Sequence, residues 1–283
     1  MASTRKRSRW VWLEDRREAA RVGMDVPHSA PTTDAPCPGG RRSLAVAGAR
    51  IKKTTHVQSS FAPNDLIGAT GNWSIERMNL LPMTSLGGLL HLRHLGQFDR
   101  RRALWVFTRI DPDTMRLDLG DGLYVQVDTR AVARILGLRE GGVRIPLGRP
   151  ASKPAILARV HALLETGMPR SNNVPMARVR GILEEAMSGV VDAAREKKLL
   201  AAYTLYAGSV FLVPQTATPR VPDELLPVVE DPAHISEFDV CRLVVDVQRK
   251  GAVAARDMLP LEPNKMILPG CLLVPLILFM DAK

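Results

Sequence analysis

The chain has 283 residues, with 39 Lys+Arg against 29 Asp+Glu, a formal charge of +10 and 46% hydrophobic residues. At that length a fold buries roughly three-quarters of the surface its unfolded chain exposes, so a core needs no disulfide or metal and wholesale disorder is excluded. Cys37, Cys241 and Cys271 are odd in number, far apart and without a C-x-x-C pair, which excludes a disulfide-stapled secreted domain and a cysteine-type zinc finger and fits a reducing compartment.

Residues 1–60 carry 12 Lys+Arg and 5 Asp+Glu, a net +7, whereas residues 61–283 carry 27 and 24, a net +3. The basicity belongs to a leader that holds Arg5, Lys6, Arg7, Arg9, Arg16 and Arg17 and then runs through a Pro-, Ala-, Gly-, Ser- and Thr-rich stretch at 27–40. Without apolar periodicity, residues 1–64 read as a disordered basic arm, and residues 1–60 as dispensable for folding. A secretory signal fails, because only Trp10, Val11, Trp12 and Leu13 precede Glu14 and Asp15, short of the apolar run of about 7 to 15 residues such a signal needs. The same acids weaken an organelle transit peptide without excluding it. Nuclear import, phosphate-backbone contact through those six cations and a merely solubilising tail remain open.

Residues 65–283 read as a mainly α domain with a small β-hairpin. In the hairpin, Met115, Leu117 and Leu119 alternate with polar residues, Gly120-Asp121-Gly122 turns the chain, and Leu123, Val125 and Val127 alternate back. Asp128 or Thr129 then caps a helix carrying Val132, Ile135 and Leu136, and Gly137 stops it. Helical stripes follow at Ile156, Val160, Leu163 and Leu164, closed by Gly167, and at Val179, Ile182, Leu183, Ala186 and Met187, with Pro175 in a first turn. A longer apolar helix over 190–213, ended by Pro214, is expected at the centre. Five prolines between 214 and 232 predict an extended surface connector, and Ser236-x-x-Asp239 a capping-box-like start for a helix through Cys241 and Val245. The apolar run at 266–280 is too short and too broken by Pro269, Gly270 and Pro275 for a membrane span, and reads as a buried helix or strand.

No set of residues carries the spacing of a catalytic or metal site. His91 and His94 are three apart but have no third ligand nearby and sit among Leu89, Leu90, Leu92 and Leu95, so they read as structural histidines in a packed segment. Cys241 and Cys271 lie on apolar stretches and read as inert thiols; Asp231, His234 and Cys241 form a Cys-His-Asp set only on paper. Gly68-Ala69-Thr70-Gly71 lacks the Lys-Ser/Thr of a phosphate loop, Arg100-Arg101-Arg102 suits a solvated turn beside Asp99 as well as it suits phosphate, and Glu184-Glu185 reads as a solvated helix surface. The expectation is a non-enzymatic chain without metal or cofactor and without a membrane segment.

Several short patterns in fixed order resemble a plant family. They are residues 87–92 (GGLLHL), residues 111–115 (DPDTM) with the hairpin, residues 132–138 (VARILGL) with Gly141-Gly142, Phe238-Asp239-Val240-Cys241, and Gly270-Cys271-Leu272-Leu273 through Asp281. Together they resemble, over residues 75–281, the helical domain of transposon-derived proteins of grass genomes. Those proteins are related to the plant mobile domain, also labelled aminotransferase-like, which often precedes a ubiquitin-like-protein-specific cysteine peptidase. Asp239-Val240 stands where the family shows Asn-Trp, Pro275 interrupts the last helix, and Phe279-Met280 replace Tyr-Leu. No lysine sits in a pyridoxal-phosphate context. The resemblance implies a transposon-derived interaction domain with an unidentified protein partner, and the basic arm adds the expectation of a nuclear location and of weak, sequence-independent nucleic-acid affinity. Its alternatives are the inactive N-terminal fragment of such a peptidase, ending where the peptidase would begin, and a truncated reading frame without selected function.

Overall fold

A computed structural model of the chain describes residues 55–96, 98–167, 172–185, 192–261 and 263–282. The arm cations Arg5, Lys6, Arg7, Arg9, Arg16 and Arg17 lie outside the described residues, as do Cys37, Ala186 and Met187. The architecture is mainly helical with small sheets that include the β-hairpin.

The chain opens with strand β1 (His56–Gln58) and helix α1 (Pro63–Thr70), whose first residue is a proline, suited to a turn where no N–H bond is needed. After the single-turn helix α2 (Ile75–Met78) come 3₁₀ turns at Leu81–Met83 and Gly87–His91. Helix α3 (Arg100–Phe107) is capped by Asp99, whose carboxylate accepts the N–H groups of Arg101 at 3.0 Å and Arg102 at 3.1 Å. Strands β2 (Ile110–Asp111), β3 (Arg116–Gly120) and β4 (Leu123–Gln126) form an antiparallel sheet in that order. Leu117 pairs with Val125, as the alternation predicts; an irregularity between Asp118 and Gly120 shifts the register, so Leu123 turns out to solvent.

Between the two capping candidates, Asp128 caps helix α4 (Thr129–Leu136) by accepting the Ala131 N–H at 2.8 Å. Gly137, at φ 65°, ends the helix, and the Leu138 N–H returns to the Ala133 carbonyl at 3.2 Å while the Leu138 side chain is buried. Strand β5 (Val143–Arg144) leads to helix α5 (Lys153–Leu163), which buries Ile156 and Val160 and leaves Leu163 half-buried, and to helix α6 (Met176–Glu184), which buries Val179, Ile182 and Leu183. Pro175 stands immediately before α6 as its cap residue.

Helix α7 (Ala193–Ala207) continues through a π-helical turn at Gly208–Leu212, and every residue from 199 to 214 is buried. It is therefore central, as its composition predicts: α6 packs on it, as does the short helix α8 (Leu226–Glu230), which α5 also covers. Strand β6 (Phe238–Asp239) pairs parallel with β5 and runs into the long helix α9 (Val240–Met258), against which α3 and α4 pack. Strand β7 (Lys265–Ile267) pairs parallel with β1, and helix α10 (Leu273–Asp281) closes on α3 and α4. The terminal apolar run thus supplies both a strand and a buried helix.

Four local expectations change. The arm boundary at 64 is too late, because residues 55–64 belong to the fold: β1 pairs with β7, the Ala62 N–H donates to the Val210 carbonyl at 2.7 Å, and Phe61 stacks on Phe211 with centroids 5.4 Å apart. The proline-rich segment is not a surface connector, since Leu225, Leu226, Val228 and Val229 are buried. It packs onto α7 because Gly208 has no side chain: a Cβ there would collide with the Leu225 methyl. The helix after it starts at Asp239 rather than Ser236, with Asp239 accepting the Arg242 N–H at 2.8 Å, because Pro232–Glu237 is already a 3₁₀ turn. His91 ends a 3₁₀ turn and His94 follows in irregular chain; both are exposed, so they do not sit in a packed helical segment.

Candidate functional site

Each residue singled out from the sequence that is described has an identifiable role in the fold or stands at the surface. Among the described residues no group of three or more His, Cys, Asp or Glu is placed to hold a metal. The Cys241 thiol donates to the Arg139 carbonyl at 3.3 Å, and its pKa is pushed up to about 12, first by burial and then by the carboxylates of Asp239 and Glu140. Burial likewise raises Cys271 to about 12, against the opposing effect of the Leu273 and Val274 N–H groups. Both are free thiols held in the un-ionised, unreactive form at neutral pH. The paper triad does not assemble, because both ring nitrogens of His234 face carboxylates on its own turn: Nδ1 lies 2.7 Å from Glu237 and Nε2 3.5 Å from Asp231. Glu184 and Glu185 pair with Arg180 at 2.7 Å and Arg178 at 3.1 Å on the surface of α6.

Two concavities were not legible in the sequence. The first, about 460 Å³, opens between α1 and the end of α6 and is walled by Trp73 and Arg77. The Trp73 indole N–H donates to the Leu183 carbonyl at 2.9 Å, and Arg77 Nη1 donates to the Glu185 carbonyl at 3.0 Å. These donors, one helical turn apart, satisfy carbonyls that the last turn of α6 leaves open. The Arg77 guanidinium lies 5.2 Å from the Trp73 ring; burial lowers its pKa, against the Glu185 carboxylate, and its Nε finds no acceptor among the described residues. Arg77 is a buried helix cap, and the concavity is the space in front of it.

The second, about 320 Å³, is a shallow polar bowl around Glu224, whose side chain is 6% exposed. Glu224 accepts the Gly148 N–H and the Gln215 side-chain amide, each at 3.1 Å, and faces the Lys250 ammonium at 3.5 Å. Next to it, the buried Lys153 ammonium holds both oxygens of Asp223, at 2.7 and 2.8 Å. This network ties the loop before α5, the proline-rich segment and α9 together. With the Glu224 lone pairs already engaged, the carboxylate serves as a tie between elements rather than as a general base.

Three of the short motifs, at 87–92, 132–142 and 238–241, meet in space. Gly88 lies against Gly137, Gly142 backs onto Glu237 and Phe238 where β5 meets β6, Cys241 is bonded to Arg139, and the Cys271 carbonyl accepts the Gln248 side-chain amide at 3.1 Å. No curated protein and no solved structure matches the chain. A family model described as a domain of unknown function, DUF8566, matches residues 59–276, the greater part of the sequence, and the chain therefore belongs to that family.

Proposed function

We propose that the protein is a non-enzymatic, transposon-derived interaction domain of the nucleus, whose basic arm supplies weak, sequence-independent affinity for nucleic acid. The observation that carries this reading is the division of charge: +7 of the net +10 belongs to residues 1–60, with Arg5, Lys6, Arg7, Arg9, Arg16 and Arg17 clustered at the start. Clustered cations release counterions from phosphates whatever the base sequence. The non-enzymatic part is supported by how the chemically capable side chains are used: the thiols of Cys241 and Cys271 are buried, Glu224 and Arg77 are engaged as ties and caps, and His234 is held between two surface carboxylates. Several residues that carried the resemblance to plant mobile-domain proteins, Gly88, Gly142 and Cys241 among them, are points of close packing, as expected of motifs that define a fold rather than a reaction centre.

The test is a salt series. The full chain is expected to bind duplexes of unrelated sequence alike, with dissociation constants of roughly 10⁻⁴ to 10⁻⁶ M at physiological salt. Replacing Arg5, Lys6, Arg7 and Arg9 together with Gln is expected to weaken all duplexes equally and to reduce the slope of log affinity against log salt by about 3 to 4. Strong discrimination among sequences, or a slope that does not change, would refute the reading.

A further inference from the structure

The folded body also carries local concentrations of positive charge, and one of them includes an exposed aromatic side chain. Residues 91–109 hold Arg93, Arg100, Arg101, Arg102 and Arg109 against the single acid Asp99, a net +4, while residues 61–283 as a whole sum to only +3. Helix α3 lies in this stretch, and its helical spacing sets Arg101, Arg102, Trp105 and the following Arg109 along one side, with Ala103, Leu104, Val106 and Phe107 buried on the other. Arg100, Arg101, Arg102 and Trp105 are all exposed, and Arg102 has no ion-pair partner among the described residues.

Trp105 is the unusual member. Trp73 is buried at 5%, as a core indole is, but Trp105 is 38% exposed. Its position is nonetheless fixed: Phe279 of α10 meets it edge-on with centroids 5.0 Å apart and planes at 89°, and the Arg109 guanidinium lies 5.0 Å from its ring. Arg109 is itself anchored, its Nε donating to the Asp118 carbonyl at 2.7 Å and its Nη2 lying 3.3 Å from the Asp118 carboxylate. A held, part-open indole flanked by exposed cations complements a flexible polyanion that carries planar groups. Single-stranded nucleic acid has that chemistry, with phosphates for the arginines and unstacked bases for the indole. A duplex hides its base faces, and an acidic peptide has none.

We infer that the exposed side of α3, formed by Arg101, Arg102 and Trp105, is a single-strand nucleic-acid contact on the folded body; this rests on the nucleic-acid reading above but assigns a different surface and a different strand form. The experiment compares the full-length protein with three sets of variants, using a 20-nucleotide thymidine strand and a duplex of equal length. Trp105→Leu is expected to weaken single-strand binding roughly tenfold and duplex binding little, and Trp105→Phe to restore most of the loss. Arg101→Gln with Arg102→Gln, at exposed positions, is expected to keep the wild-type melting temperature and to lower the single-strand salt slope by about 1.4. The arm replacement at Arg5, Lys6, Arg7 and Arg9 is expected to leave the single-strand preference in place. If the α3 variants bind like wild type while the arm variant loses binding, this surface is wrong and the arm reading stands; if wild-type protein binds neither strand form, both fail. Competition by polyglutamate, per charge as strong as that by the thymidine strand and insensitive to Trp105→Leu, would overturn the proposal in favour of an acidic protein partner.

Discussion

Gly88 and Gly137, forty-nine positions apart, pack backbone to backbone: a Cβ on Gly88 would stand 2.6 Å from the Gly137 Cα and closer still to its carbonyl. The contact joins the 3₁₀ turn at Gly87–His91 to the C-terminal end of α4, and the Arg139 N–H adds a bond to the Ser85 carbonyl at 3.3 Å. Gly88 has no room for a side chain, since what stands in the way is main chain.

Gly88→Ala is therefore expected to destabilise by about 2 kcal/mol or more, the cost of forcing an extra methyl into packed structure. Gly68→Ala is the matched control: Gly68 lies inside α1 with nothing within 4 Å of an added Cβ, so Ala is expected to stabilise by about 0.5–1 kcal/mol through helix propensity. Gly137→Val is expected to cost about 1 kcal/mol or more, because φ 65° penalises a β-branched residue. Urea melts of the three variants check all of this, and equal midpoints for Gly88→Ala and Gly68→Ala would contradict it.

Two truncations separate the arm from the fold. Removing residues 1–54 is expected to shift the melting temperature by no more than a few degrees. Removing residues 1–64 deletes β1 and its pairing with β7, the bonds from Ser60 to Thr216 at 3.0 Å and from Ala62 to Val210 at 2.7 Å, and the buried Phe61. Loss of one buried Phe alone costs about 3–5 kcal/mol, so the melting temperature is expected to fall by about 10 °C or more, or the cooperative transition to disappear. Scanning calorimetry of the two chains distinguishes them.

Thiol chemistry gives a third check. In a Cys37→Ser chain, Cys241 and Cys271 are expected to resist an aromatic disulfide reagent at pH 8 and to react together on unfolding, because burial keeps both as thiols with pKa values near 12. Rapid reaction of either in the native protein would show that it is accessible and ionised.

His234 supplies a pH signature. Its imidazolium is hydrogen-bonded to Glu237 and lies near Asp231, so its folded-state pKa is raised. A raised value favours the folded state most below the unfolded pKa of about 6.5, and the contribution is lost as pH rises through the folded value. On an exposed turn this moves stability little. It is instead expected as an NMR titration midpoint above that of ordinary histidines, returning toward about 6.5 in Glu237→Gln. A midpoint unmoved by that substitution would rule out the pairing.

What the sequence determined by itself is what a few neighbouring residues settle. The alternation around Gly120-Asp121-Gly122 gives β3 and β4, Asp128 and Gly137 set the ends of α4, and the uniformly apolar stretch through Tyr203 and Phe211 marks the central helix, because turn chemistry, capping and periodicity act over at most a turn or two. The charge division between arm and body is equally a property of the sequence alone. Tertiary structure decided what depends on partners distant in the chain. His56–Gln58 becomes a strand because Lys265–Ile267 lies beside it, and Leu225 to Val229 become core because Gly208 leaves a place for Leu225. Arg77 and Trp73 become caps because α6 ends next to them. Long-range packing of this kind costs chain entropy that no local pattern records, and it is recovered only when the remote surfaces close on each other.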